Sequence, residues 1–251
     1  MTIAGGGRVR ARTDDTIGRV LAISGVWEPN VTAAFAQRLA PGDVCVDVGA
    51  HIGYYTLLAS RLVGEAGHVY AFEPSPANYR ALRENLELNG VANVTARNVA
   101  LARSEGEGVL NEGPGTNTGR ATLRPVRVER DAGWPQVAVQ VRTFATEVPA
   151  GDLERIRVVK IDVEGYELDV LHSLTQLFEL GRPLAVFLEL TPGWVDRSDL
   201  EALEETWTEH GFTPYVLRSG YSVGDLFPPG IEAPLRLDGV PPEQCDLMLA
   251  R

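Results

Sequence analysis

Lysine is almost absent. Of 23 basic residues in 251, 22 are arginine and one is Lys160. A bias that strong usually follows the base composition of the coding DNA, yet the one lysine stands beside the most acidic motif of the chain. Positive charge as a whole is scarce: 34 Asp and Glu outweigh the 23 Lys and Arg, for a formal net charge of −11. That argues against a sequence-independent nucleic-acid binder, which needs a basic surface. Cysteine is nearly missing too. Cys45 and Cys245 lie too far apart to read as a disulfide framework or a metal-binding pair, so a reducing cytoplasm is the expected compartment. No apolar run approaches the roughly 18 residues of a membrane span. The opening MTIAGGGRVRARTDD lacks the apolar core of a secretory signal and reads as a short disordered leader.

What is present is ordinary for a globular protein: 44% hydrophobic and 23% charged residues. The length suits one domain over residues 1–251 that buries a full core, with 1–40 as leader and cap. VCVDV (44–48) and VYAFE (69–73) are β-branched or aromatic runs suited to buried parallel strands, with helical spacing in YYTLLASRLV (54–63) between them. Ser75 and Pro76 open a further helix, and Asn89-Gly90 closes it. NVTARNVAL (93–101), VAVQVR (137–142), RVVKIDV (157–163), AVFLEL (185–190), TPYVLR (213–218) and CDLMLA (245–250) read as further strands. One helix carries Leu168, Leu171, Leu174 and Phe178, and another carries Leu200, Leu203 and Trp207. Asn30 is placed to cap a helix bearing Val31, Phe35 and Leu39. Residues 104–136 read as a long loop with edge hairpins, and 219–244 as a Pro-rich insertion. Segments of that length are usually binding surfaces.

Strands alternating with helices predict an α/β fold with a parallel sheet. Ligands of such sheets bind at the carboxyl ends of the strands, where this chain puts Asp47, Glu73, Asn98, Asp162 and Glu189. The first turn, DVGAHIG (47–53), departs from the dinucleotide pattern because His51 stands where a second glycine lets pyrophosphate approach. No G-K-[ST] follows, so it is no P-loop. Two phosphates beside Asp47 would be repelled, whereas a sulfonium cation suits an acidic rim. Glu73 can accept from both ribose hydroxyls, a feature shared with NAD proteins.

The blocks WEP (27–29), PGDVCVDVGAHIGYYTLLAS (41–60), GHVYAFEPSPANYRALRENLELNG (67–90), NVAL (98–101), VVKIDVEGYELDVL (158–171) and FLEL (187–190) resemble the FkbM family of class I S-adenosylmethionine-dependent methyltransferases. His51 is a departure, since the family more often has Asn there. The resemblance implies a Rossmann-like seven-stranded mixed sheet, order 3-2-1-4-5-7-6, last strand antiparallel, with helices on both faces. It implies S-adenosylmethionine as cofactor, S-adenosylhomocysteine as product, and O-methylation of a natural product or sugar. The cofactor site then falls on Asp47, Gly49, Ala50, His51, Gly53 and Thr56 around the first turn. Glu73, Pro74 and Ser75 follow the second strand, and Asn98, Val99 and Ala100 frame the adenine.

A hydroxyl nucleophile must lose a proton. Asp162, Glu164, Glu189 and His51 are the available bases, and the Asp162–Glu164 pair is the expected one, with Asp162 also counted in the cofactor site. Glu28, Asn117, Arg120 and Glu189 are the expected acceptor contacts. A Mg²⁺ on Asp162 and Glu189 is less favoured, because Thr191 and Pro192 supply no third oxygen ligand of the usual kind. The expected partner is a small-molecule acceptor, with neither nucleic acid nor membrane. The oligomeric state stays open, a homodimer included. Two other readings are an NAD-dependent oxidoreductase and a non-catalytic member of the fold.

Overall fold

The computed structural model describes all residues except 114, 125–132, 191–195, 221–229, 240 and 242–243. Eight strands form one sheet. β1 (Val44–Val48) lies in its middle, with β2 (His68–Phe72) and β3 (Val94–Arg97) parallel on one side and β7 (Ile156–Ile161) and β8 (Ala185–Leu190) parallel on the other. Beyond β8 come β11 (Cys245–Ala250), antiparallel to both neighbours, then β9 (Thr213–Leu217) and β10 (Leu235–Arg236). Counted in chain order within this sheet the sequence is 3-2-1-4-5-8-6-7. Strand count and order therefore differ from the expected seven. The added member is the two-residue β10, which the 219–244 insertion lays antiparallel on the outer edge. So short a pairing carries no period-2 signal that a sequence could show.

Helices cover both faces because the strands are apolar on both. α1 (Thr16–Ser24), α2 (Pro29–Ala36), α3 (Tyr54–Val63) and α4 (Pro76–Leu88) pack through Leu21, Phe35, Leu57 and Leu82 onto Cys45, Val158, Phe187 and Met248. On the opposite face Val46, Val159, Val186 and Leu247 meet α5 (Phe144–Glu147), α6 (Glu167–Ser173), α7 (Thr175–Phe178) and α8 (Arg197–Glu209). The single helix expected through Phe178 is thus broken at Leu174, which caps both pieces. Ser75 caps α4 with Pro76 at its first position, as its sequence indicates. α2 differs: it starts at Pro29, and Asn30 instead ties Arg218 O and Glu232 N.

Two loops are more structured than their composition suggests. β4 (Ala100–Leu101), β5 (Gly106–Asn111) and β6 (Gln136–Arg142) form a second, three-stranded sheet, so part of the 104–136 loop is strand. The leader is not disordered either. Ile3 and Val9 are buried, while Arg8 N donates to Asn89, which caps the end of α4, and Arg10 N to Asn85 within it, both at 2.8 Å. These anchors lie 75 to 81 residues away in sequence, beyond what local composition can reveal. No helix among the described residues is long and apolar enough to cross a membrane.

Candidate active site

The chain leaves β1 on one side to build β2 and β3, then returns to β1's other side as β7. Such a reversal opens a crevice at the carboxyl ends of the strands. Here it holds two chambers that share Ile17, Gly49, His51 and Asp162.

The first chamber is mostly apolar. Val99, Ala100, Leu101, Leu110, Leu123 and Tyr166 form its walls, and Glu73, Pro74 and Asn78 form its polar rim. Glu73 is buried at the end of β2. Its Oε2 accepts from His51 N at 2.8 Å and its Oε1 from Ser75 N at 2.9 Å. Burial pushes its pKa up to about 7 against the pull of those backbone donors. Each oxygen keeps a lone pair for a further donor. Asn98, expected beside an adenine, turns its Nδ2 to the carbonyls of Glu73 and Pro74, at 2.7 and 2.9 Å. It shapes the rim, while Val99 and Ala100 line the chamber. Ser75 likewise serves as helix cap and donates to Glu112 at 2.7 Å.

The second chamber is lined by Trp27, Asp47, Ala50, Ile52, Tyr54, Tyr55 and Lys160, besides the shared residues. Thr56 is fully buried and donates to Asp47 Oδ2 at 2.5 Å. Gly53 caps α3 in a left-handed conformation. Strand pleat explains the acids beneath. On the face under α2 and α3, Cys45 alternates with Asp47, Val158 with Lys160, Phe187 with Glu189 and Met248 with Asp246. This face is apolar toward one end of the sheet and charged toward the ligand end. Lys160 is 1% exposed and holds Asp162 Oδ2 at 3.1 Å. Burial alone lowers its pKa, but Asp162, Glu28, Asp246 and Glu189 together push it above its ordinary value.

The acids respond in kind. Burial and then neighbouring carboxylates raise Glu28 and Glu189 to about 8 and Asp246 to about 7. Burial raises Asp47 to about 6. Between pH 4 and 8 the folded state therefore binds more protons than the unfolded chain, and stability must fall as pH rises. A total displacement of only two pKa units is worth about 3 kcal/mol. Scanning fluorimetry of the ligand-free protein is expected to show Tm roughly 6–12 °C lower at pH 8.5 than at pH 6. A Tm that rises over that interval would mean these carboxyls ionise freely when folded.

The expected base pair is divided by the geometry. Asp162 lines both chambers. Glu164 lines neither; it adopts φ 50, and burial beside Asp162 raises its carboxyl to about 8. Among the acceptor contacts, Glu28 accepts from Tyr55 Oη at 2.8 Å, and Glu189 accepts from Gln244. Arg120 stacks over Trp134 at 5.2 Å. Neither Asn117 nor Arg120 lines a chamber, but Thr118 and Gly119 between them do. Among the described residues no three metal-ligating side chains converge on one point. Asp162 is taken up by Lys160, and Thr191 and Pro192 lie outside the described residues.

Composition gave no sign of two contributors, Asp15 and Thr118. Asp15 caps α1, and its Oδ1 accepts from Thr118 N at 2.8 Å and Thr118 Oγ1 at 3.1 Å. Thr118 Oγ1 lies 2.8 Å from His51 Nε2. The only hint in the sequence is an Asp two residues ahead of an apolar helical run.

Known proteins share this arrangement of elements. The methyltransferase FkbM domain matches residues 47–214. Methyltransferase 1 of Beauveria bassiana is 33% identical over 145 residues, 51% of this chain and 57% of its own length. Methyltransferase sdnD of Sordaria araneosa is 31% identical over 206 residues, 71% of this chain and 72% of its own. The chain thus spans just over half of the first relative and about seven-tenths of the second. Among solved structures, the Streptococcus mutans protein SMU.1697c in complex with SAH aligns over 90% of this chain and 98% of its own, with a TM-score of 0.50 at 13% identity. That last likeness is one of fold.

Proposed function

Because the chain belongs to the FkbM methyltransferase family, we propose that it takes its methyl group from S-adenosylmethionine and gives it to a hydroxyl of a small natural product or sugar in the cytoplasm. The observation that carries this reading is Glu73, held by two backbone donors at the rim of an apolar chamber whose other end is acidic. Glu73 would take the ribose hydroxyls. Val99, Ala100, Leu101 and Tyr166 would hold the adenine. The turn Gly49–Ala50–His51 leads toward the methionine end, where Asp47 and Asp162 face a cation favourably.

The cofactor supplies an electrophilic methyl on a sulfonium whose sulfur leaves neutral. The protein's own work is placement and exclusion of water. Aligning two reactants in one cleft replaces a bimolecular encounter and can contribute about 7–11 kcal/mol to lowering the barrier. Trp27, Tyr54 and Tyr55 wall the second chamber against solvent on the acceptor side. A neutral or cationic acceptor fits that acidic chamber better than a nucleic acid does. Mg²⁺ has little claim on Asp162, already paired to Lys160.

NAD is disfavoured by the same acids, since its pyrophosphate would meet Asp47 and Asp162. A non-catalytic member of the fold need not keep a buried acid at each of these strand ends. Calorimetry separates the NAD reading from this one: saturable binding of S-adenosylhomocysteine is expected and none of NAD, and the reverse pattern sinks the proposal; an acceptor screen tests the non-catalytic reading. Glu73→Ala is expected to weaken S-adenosylhomocysteine by roughly 2–3 kcal/mol, the scale of hydrogen bonds to a charged acceptor. Unchanged affinity in a folded variant would move the ribose elsewhere.

A further inference from the structure

His51 stands at the junction of the two chambers and lines both. Its backbone is left-handed, φ 49, a conformation a β-carbon disfavours and one that concentrates at functional positions. Its ring is fixed by a chain of hydrogen bonds. Thr118 Oγ1 donates to Asp15, which has no proton to give as a carboxylate. The hydroxyl therefore receives from His51, and Nε2 carries the imidazole proton. Nδ1 is then the bare nitrogen. It has no hydrogen-bond partner among the described residues and is not fully buried, on a residue that lines both chambers.

We propose that His51 Nδ1 is the proton acceptor for the methylated hydroxyl, with Thr118 and Asp15 as the residues that position it. The proposal rests on the methyl-transfer reading above. In the step, the acceptor oxygen forms a bond to the methyl carbon while the carbon–sulfur bond breaks and its pair goes to sulfur. The O–H pair stays on oxygen, and the proton moves to Nδ1 and later to solvent. The imidazolium so formed faces Asp15 through Thr118 and Asp162 across the shared wall, with Lys160 behind Asp162 and Glu73 bound to its own backbone N–H. Burial lowers the imidazole's pKa below its ordinary value, while Asp15 and Asp162 pull the other way, so the ring is neutral and able to accept at neutral pH. Asp162 has its Oδ2 engaged by Lys160, and Glu164 lines neither chamber, which leaves His51 better placed than either acid.

Two measurements test this. Nitrogen-15 NMR of the imidazoles in ligand-free protein is expected to show His51 as the Nε2–H tautomer. Its titration should lie below pH 6.5, and Asp15→Asn should move it lower still. An Nδ1–H tautomer overturns the proposal outright, because that nitrogen has no pair to offer. The second measurement follows methyl transfer from radiolabelled S-adenosylmethionine to a panel of monosaccharides and phenols. With any acceptor found, His51→Asn should lower kcat/KM at pH 8 by about a hundredfold or more and abolish the acid limb of the pH profile. Affinity for S-adenosylhomocysteine should change little, since the backbone N–H to Glu73 remains. An unchanged limb in the variant counts against His51 alone. Failure of the wild-type protein to bind S-adenosylhomocysteine counts against the methyl-transfer reading, while the NMR result stands apart from both.

Discussion

Lys160→Met is expected to destabilise the protein by about 3–5 kcal/mol at pH 7.5, the range for breaking a buried ion pair from one side, and by much less at pH 5.5. Methionine keeps the volume and flexibility of the lysine stem, so packing is largely preserved. What is lost is the single ammonium among Asp47, Asp162, Glu28, Asp246 and Glu189. Glu28 and Glu189 sit at about 8 and Asp246 at about 7 even with that cation present. Without it their ionisation becomes costlier, and near neutrality several must stay protonated or the region must open. Lowering the pH supplies those protons and relieves the penalty. Urea unfolding at both pH values checks this. An equal loss at the two pH values would mean that lysine's carbon chain, not its charge, is what the fold requires.

The one lysine was visible in the sequence beside KIDVEGYE, but its neighbours were not. Asp246 is 86 residues downstream and Glu28 lies before the first strand, and only the sheet order brings them together. The parts that local pattern does reveal are those with a strong period or a capping residue. The buried strands around Asp47, Glu73 and Asp162 are of this kind, as is α4 behind Ser75 and Pro76. The parts it hides depend on distant partners. The leader reads as disordered because its anchors, Asn85 in α4 and Asn89 at its end, come far later in the chain. The 104–136 segment reads as a long loop with edge hairpins, but the bounds of β5 stay hidden because it is glycine-rich and pairs with a strand beyond residues 125–132. The role of Asn98 is hidden for a related reason. A polar residue at a strand end can face a ligand or tie its own backbone, and only the distances to Glu73 O and Pro74 O decide. The Asp15–Thr118–His51 chain joins three segments with no shared motif.

Gly49→Ala is expected to abolish cofactor binding and cost the fold more than about 4 kcal/mol, placing it among the exceptional single substitutions. Gly49 adopts φ 81, which a side chain already disfavours, and an added Cβ would lie 1.9 Å from the carbonyl oxygen of Asp162 and 2.8 Å from its carbon. Neither side can yield cheaply. Gly49 N donates to Phe72 O at 2.8 Å, and Asp162 N donates to Val48 O at 2.9 Å. Relief would have to part the ends of β1 and β7, the two strands that frame the crevice. Gly53→Ala supplies the comparison. Its φ is 92, but its Cβ would clash only with side-chain atoms: Leu82 Cδ1 at 2.6 Å, with Leu82 Cγ and Thr56 Cβ in ordinary contact at 3.9 and 4.0 Å. That variant should lose about 1–3 kcal/mol, the cost of a left-handed non-glycine residue, and still bind S-adenosylhomocysteine. Urea unfolding and calorimetry on the pair test the ranking. If Gly49→Ala folds and binds like the parent, the close approach of the turn to Asp162 is not what shapes the cofactor site. If instead Gly53→Ala proves the worse of the two, backbone strain at the start of α3 dominates over contact between the strand ends.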